Sequence, residues 1–207
     1  MRRSNYGYLL LALLVITGLA GTVTSISITS KERKFAATHL KDTKVDVLKS
    51  IKGLSQAQLD FKTKPDKWSI RECIYHIAIS ENTLWRLLQS TMKQPANPEK
   101  RSDIKLTDDQ VIRMAEDRSR KFKTTQNLEP KNTPYKTLDE ALESFKSIRT
   151  EHIKYMKTTT EDLRNHIAQL PVGWVDCYQI CLFMSAHSNR HMQQIEELKA
   201  APNFPSR

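Results

Sequence analysis

The chain has 207 residues, a length that suits one domain of ordinary size plus an appendage. Only 5 residues are glycine and 7% are aromatic. Segments rich in Leu, Ile, Glu, Lys and Gln recur and strand-like alternation is scarce, which argues for an all-α protein. The formal net charge is +10, but the lysines are spread along the whole chain and no nucleic-acid motif appears. A solvated basic surface, not a nucleic-acid partner, explains the charge. Three cysteines, Cys73, Cys177 and Cys181, are an odd number and give no disulfide framework.

The N-terminus reads as a targeting segment. Arg2 and Arg3 precede the apolar run from Tyr8 to Ile16, and Gly18, Ala20, Gly21 and Ser25 follow. Positive start, short apolar core and small-residue exit are the order of a secretory signal peptide. The run is shorter than the ~20 apolar residues of a membrane span. Residues 1–25 are therefore expected to be a signal peptide cleaved after Ala20 or Ser25, or an N-terminal anchor if retained. The domain is expected over 31–205, outside the cytoplasm, periplasmic or extracytoplasmic.

Four long amphipathic helices follow. The first is predicted from about Glu32 to Gly53, with Leu40, Lys44, Val47, Ile51 and Leu54 on its inner face. A short helical piece is expected within 54–59. The second opens with a capping box, Ser69 to Glu72, with Trp68 and Cys73 in the staple positions, and ends near Met92. A long connection holds one short helix, from Thr107 to about Lys121, and then a Pro-containing loop, Asn127 to Tyr135. The third long helix opens with Thr137 and Glu140 as a second capping box and runs to about Thr158. After a loop with Pro171, Gly173 and Trp174, the fourth begins at Asp176, with Gln179 in the capping-box position, and ends near Ala200. Four such helices with one long crossover fit a four-helix bundle, whose core commonly holds metals through inward-facing side chains.

The chemistry concentrates in three histidines. His187 and His191 are four residues apart, about 6 Å along a helix, and point the same way. They belong to the stripe Ile180, Met184, His187, His191, Ile195 and Leu198, which steps by fours and threes and should face the interior. Burying two imidazoles is costly unless each finds a partner, and a cation satisfies both at once. His76, in the second long helix, can complete a three-nitrogen set, the arrangement that leaves a catalytic metal an open coordination position. Cys177 and Cys181 read as buried small apolar residues, His39 as partly exposed, His152 and His166 as surface or loop positions, and Asn189 and Arg190 as facing outward. Glu72 is taken up by its capping box, and Glu81, five residues from His76, points elsewhere, so no general base can be named.

Two stretches resemble a known family. Trp68-Ser-Ile-Arg-Glu-Cys-Ile-Tyr-His76 is similar to the second-helix signature of the DinB-like superfamily, and Ala186-His187-Ser-Asn-Arg-His191-Met-Gln-Gln-Ile195 to its last-helix signature. The resemblance covers about Lys31 to Pro205. It implies an up-down-down-up four-helix bundle with a divalent metal near one end, held by His76, His187 and His191. Zinc is the default, and nickel or iron suit imidazole ligands as well. Three neutral imidazoles with an open coordination position leave room for a metal-dependent hydrolase or transferase acting on a small molecule, or for a metal-binding stress protein without turnover. A homodimer is compatible with either. A helical interaction module whose histidines form only a hydrogen-bonded cluster is the third reading. Some relatives act with low-molecular-weight cytoplasmic thiols, and the export signal sets this chain apart from them. The N-terminal reading is checked by intact-mass measurement of the exported protein. The expected mass lacks the first 20 or 25 residues, whereas retention of Met1 in a detergent-extracted protein would make the segment an anchor.

Overall fold

The computed structural model describes residues 28–206. The expected signal segment, 1–25, lies outside the described residues. Six α-helices and one hairpin follow in order: α1 Ser30–Ser50, α2 Gln56–Asp60, α3 Ile70–Met92, α4 Asp108–Glu116, α5 Leu138–Thr158, β1 Ile167–Leu170, β2 Gly173–Asp176 and α6 Cys177–Lys199.

Local sequence sets the helix starts. Thr29, Ser55, Ser69, Thr107 and Asp176 each accept a hydrogen bond from the third helical residue, and that residue's side chain answers the cap backbone. Each such cap satisfies amides that have no partner within the helix. The box expected at α5 is half formed. Thr137 accepts from the Glu140 amide, but the Glu140 carboxylate takes the Lys136 amide instead. α4 stops at Glu116, short of the expected Lys121, where Asp117 leaves helical geometry at ψ 101°. The stretch expected as a loop near Pro171 is a hairpin in which Leu170 pairs with Gly173 across a two-residue turn. Gly173 has φ +119°, a conformation L side chains rarely adopt, so glycine is required there.

Helix α1 packs against α5 and α6, and α3 packs against the same two, so α1 and α3 sit on one diagonal of the bundle. Cross-helix contacts fix the directions. Thr43 meets Ser185 and the Tyr178 hydroxyl reaches the Glu32 carbonyl, so α1 and α6 run parallel. Lys44 reaches Lys146 and Thr150, while the start of α1 lies beside Lys157, so α5 runs against α1. His76 meets His187 while Trp85 meets Tyr155 edge to face and Asn82 bonds Ser144, so α3 runs against α6 and along α5. The topology is up-down-down-up, and the crossover from α3 to α5 carries α4, which lies on α6.

The apolar core is in two parts. One holds Leu40, Leu88, Met156, Tyr178, Ile180 and Met184. The other holds Val47, Ile74, Ile77, Phe145, Ile195 and Leu198. Between them every long helix contributes polar residues to the interior: Thr43, Glu81, Arg149 with His152, and Ser185 with Ser188.

All three cysteines are free and buried. Burial pushes each thiol well above its ordinary range, and the thiolate is the reactive form. In the native protein at pH 8 an aromatic disulfide reagent should therefore titrate none of them within minutes. All three should react once the chain is unfolded. A native-state disulfide would show as a single thiol in denaturant.

Candidate metal centre

Helix α3 delivers His76 two turns after the Ser69–Glu72 cap, and α6 delivers His187 and His191 one turn apart on the side facing α3. Their ligand atoms all lie within 4.8 Å of one another. His187 Nε2 is 3.2 Å from His76 Nε2 and 3.2 Å from His191 Nε2. The sequence-predicted set is thus brought together from positions 111 residues apart in the chain. His76 and His191 are buried and His187 is half-buried.

The outer nitrogens decide what the inner ones present. The Leu128 carbonyl can only accept, so His76 Nδ1 donates to it at 2.8 Å, and Nε2 of the neutral ring is a bare lone pair. His191 Nδ1 pairs at 3.1 Å with Gln194 Oε1, which fixes the same tautomer. Two lone pairs therefore point at His187 Nε2. Buried metal-ligating histidines are held in this way, with the far nitrogen donating to a carbonyl or carboxamide oxygen. Two of the three separations also fit. Ligand nitrogens 2.0–2.1 Å from a tetrahedral zinc lie ~3.4 Å apart, close to the two distances of 3.2 Å.

Aromatic rings enclose the cluster. The Trp68 indole lies 4.8 Å from the His76 ring and 5.8 Å from the His191 ring, nearly parallel to the latter. Phe183 stacks on His187 at 5.9 Å. Ser80 Oγ is 3.4 Å from His76 Nε2. Burial disfavours the imidazolium and lowers all three histidines: His76 to about 4, His187 to about 3 with the neighbouring His76 adding to the effect, and His191 well below its ordinary value. The rings are neutral at pH 7, which is the form that binds metal.

The structure corrects several sequence expectations. His152 is not a surface residue: it is fully buried on α5, its Nδ1 donates to Glu81 Oε1 at 2.7 Å, and its ring packs on Trp85 at 4.3 Å. Arg190 is buried and donates to the carbonyls of Asp117 and Arg120, and Asn189 donates to Glu116. These two clamp the crossover onto α6, with Arg190 buried and Asn189 half-buried. His166 is held by backbone carbonyls of Asp162 and Gln94. His39 is half-buried, as expected, and stacks on Phe35 at 5.9 Å. Three parts of the site were not foreseen. Trp68 already has a role in the sequence as a staple residue, Gln194 carries no signal beyond its spacing from His191, and the Leu128 carbonyl belongs to backbone that side-chain patterns do not report.

Residues 39–195 match the sequence model of the DinB superfamily. The chain belongs to the DinB superfamily. It is 23% identical over 165 residues to the uncharacterized protein YuaE of Bacillus subtilis strain 168, an alignment covering 76% of this chain and 93% of that one. Among solved structures it resembles YfiT from Bacillus subtilis, a probable metal-dependent hydrolase with an unusual four-helix bundle topology. The TM-score is 0.58 at 14% identity, over 84% of this chain and 89% of that chain. At that identity the likeness is one of fold.

Neutral buried imidazoles have a consequence for the metal-free protein. His76 binds its proton near pH 4 when folded and near 6.5 when unfolded, so between those values the unfolded chain holds more protons and stability rises with pH. In chelator, urea-unfolding free energy should hold above about pH 6.5 and fall as the pH is lowered toward 4. The limiting slope is about 1.4 kcal/mol per pH unit for each fully buried histidine. His76→Asn should flatten that slope. A pH-independent free energy across the window would contradict the assigned neutral state.

Proposed function

We propose that this DinB superfamily protein binds one divalent cation, zinc by default, through His76, His187 and His191, and that it is an exported metal-dependent hydrolase acting on a small molecule. The observation that carries the metal is the convergence of two fixed lone pairs on a third imidazole nitrogen at 3.2 Å. The hydrolytic reading is supported by the likeness to YfiT and by a three-nitrogen set, which leaves a coordination position for water or substrate. The order of the first 25 residues supports export.

A bound cation would supply Lewis acidity toward a carbonyl or phosphoryl oxygen. The chain's own residues prepare the place. Leu128 and Gln194 hold two rings in the ligating tautomer, and Trp68 and Phe183 exclude water from the ring faces. The Ser80 hydroxyl is the one side-chain alcohol within hydrogen-bond reach of the cluster among the described residues. A second reading, a metal-binding protein without turnover, is favoured by one observation: among the described residues no carboxylate hydrogen-bonds any of the three imidazoles.

Metal analysis after dialysis should give one divalent ion per chain for the natural sequence and none for His187→Ala. Ligand at a hundredfold its dissociation constant stabilises a folded state by about 2.7 kcal/mol, so zinc should raise the melting temperature of the natural chain and leave that of His187→Ala unchanged. His166→Ala, away from the cluster, is the control and should retain the metal. Absence of stoichiometric metal would leave a hydrogen-bonded cluster, with His187 donating to His191 and Ser80 to His76. A metal-loaded protein inactive on ester, amide and phosphoester panels would favour the non-catalytic reading.

A further inference from the structure

One guanidinium in the middle of the bundle touches all four long helices. Arg149, on α5, is fully buried. Its Nε and Nη2 donate to the two oxygens of Glu81 on α3, both at 2.6 Å. Its Nη1 donates to Thr43 Oγ1 at 2.9 Å and to the Leu40 carbonyl at 3.2 Å, both on α1. Its Nη2 donates to Ser188 Oγ on α6 at 2.7 Å. Burial alone would push the Glu81 carboxyl up, but the guanidinium and the His152 hydrogen bond reverse this and hold it at about 2.

Two of the helices joined through Arg149, α3 and α6, carry the histidines. Glu81 lies five residues after His76, about 7.5 Å along α3, and Ser188 is the residue next to His187. Histidine ligands must converge to within a few tenths of an ångström of their bond lengths, while apolar packing alone loses uniqueness of arrangement before it loses stability. A slip of α6 by one turn, 5.4 Å, would carry His187 and His191 out of reach of His76. A bidentate carboxylate–guanidinium pair has the directional geometry to forbid such a slip. An apolar layer at the same level does not.

We propose that Arg149, with Glu81 and Ser188, is the positioning element of the three-histidine centre: it sets the register of α6 on α3 and thereby the affinity and geometry of the bound cation. The inference rests on the metal reading above. It also explains why a bundle of this size keeps a buried ion pair, since replacing such a pair by apolar residues of similar volume is often neutral or stabilising.

The test uses Co(II) as a spectroscopic probe on the full chain, with affinity from titration and geometry from the d–d bands. The double variant Glu81→Met with Arg149→Met should keep the helical content and cooperative unfolding of the natural chain. Its Co(II) affinity should fall by 10- to 100-fold, the range seen when outer partners of ligands are lost, with altered d–d bands. Ser188→Ala, which removes only the link to α6, should lose affinity several-fold and covers the case in which the double variant does not fold. Met156→Ala, a core deletion on α5 away from these groups, should lower the melting temperature without moving affinity or spectrum. Wild-type affinity and bands in a folded double variant, or in Ser188→Ala when only that variant folds, would overturn the proposal. Failure of the natural chain itself to bind Co(II) would instead overturn the metal reading.

Discussion

A charge taken out of water must be matched where it lands, and that condition shapes the interior of this protein. The Arg149 guanidinium has no exposure, and its hydrogen bonds end on Glu81, Thr43, Ser188 and the Leu40 carbonyl. Removing Glu81 alone would strand a buried charge, which costs about 3–5 kcal/mol in comparable cases. Around this group the apolar core divides into two separate bodies, one on each side of the polar belt. Helix pairs that could slide past one another on leucine and isoleucine alone are held to one arrangement by the belt between them.

The histidine cluster obeys the same condition by a different route. Its rings are neutral because burial removes their protons, and each of two outer nitrogens has an oxygen to donate to. What remains is two lone pairs aimed at His187 Nε2. The crossover contributes through backbone: the short 3-10 turn Gln126–Leu128 lies on α3 and turns one carbonyl toward His76. The length of this connection, unexplained by helix packing, is put to use there.

Much of this was legible in the chain. Serine, threonine or aspartate with a carboxylate or carboxamide three residues on marks where helices begin, because the bonds involved are local. The stripe from Ile180 to Leu198 placed His187 and His191 on the interior because periodicity reports a face. The Arg149 layer was missed although it left a trace. Phe145, Arg149, His152 and Met156 step by four, three and four along α5, so the two polar residues stand on the buried face. A hydropathy pattern assigns arginine and histidine to solvent, and only their partners on three other helices make burial affordable. The hairpin was missed for a related reason: four-residue strands carry too little alternation to be told from a loop. Arg190 and Asn189 were misplaced because the crossover that covers them lies more than seventy residues away in the chain.

The parallel arrangement of α1 and α6 separates two places that a compact bundle could have brought together. The chain enters at Ser30, and α1 climbs about 20 Å before Thr43 comes level with Ser185. His187 and His191 stand higher still on α6. The histidines therefore lie toward the opposite end of the bundle from the point where the N-terminal segment joins it. Anything holding the chain by that segment, whether a membrane, a resin or a fused carrier domain, grips the base of the bundle and leaves the end nearer the histidines open to solution.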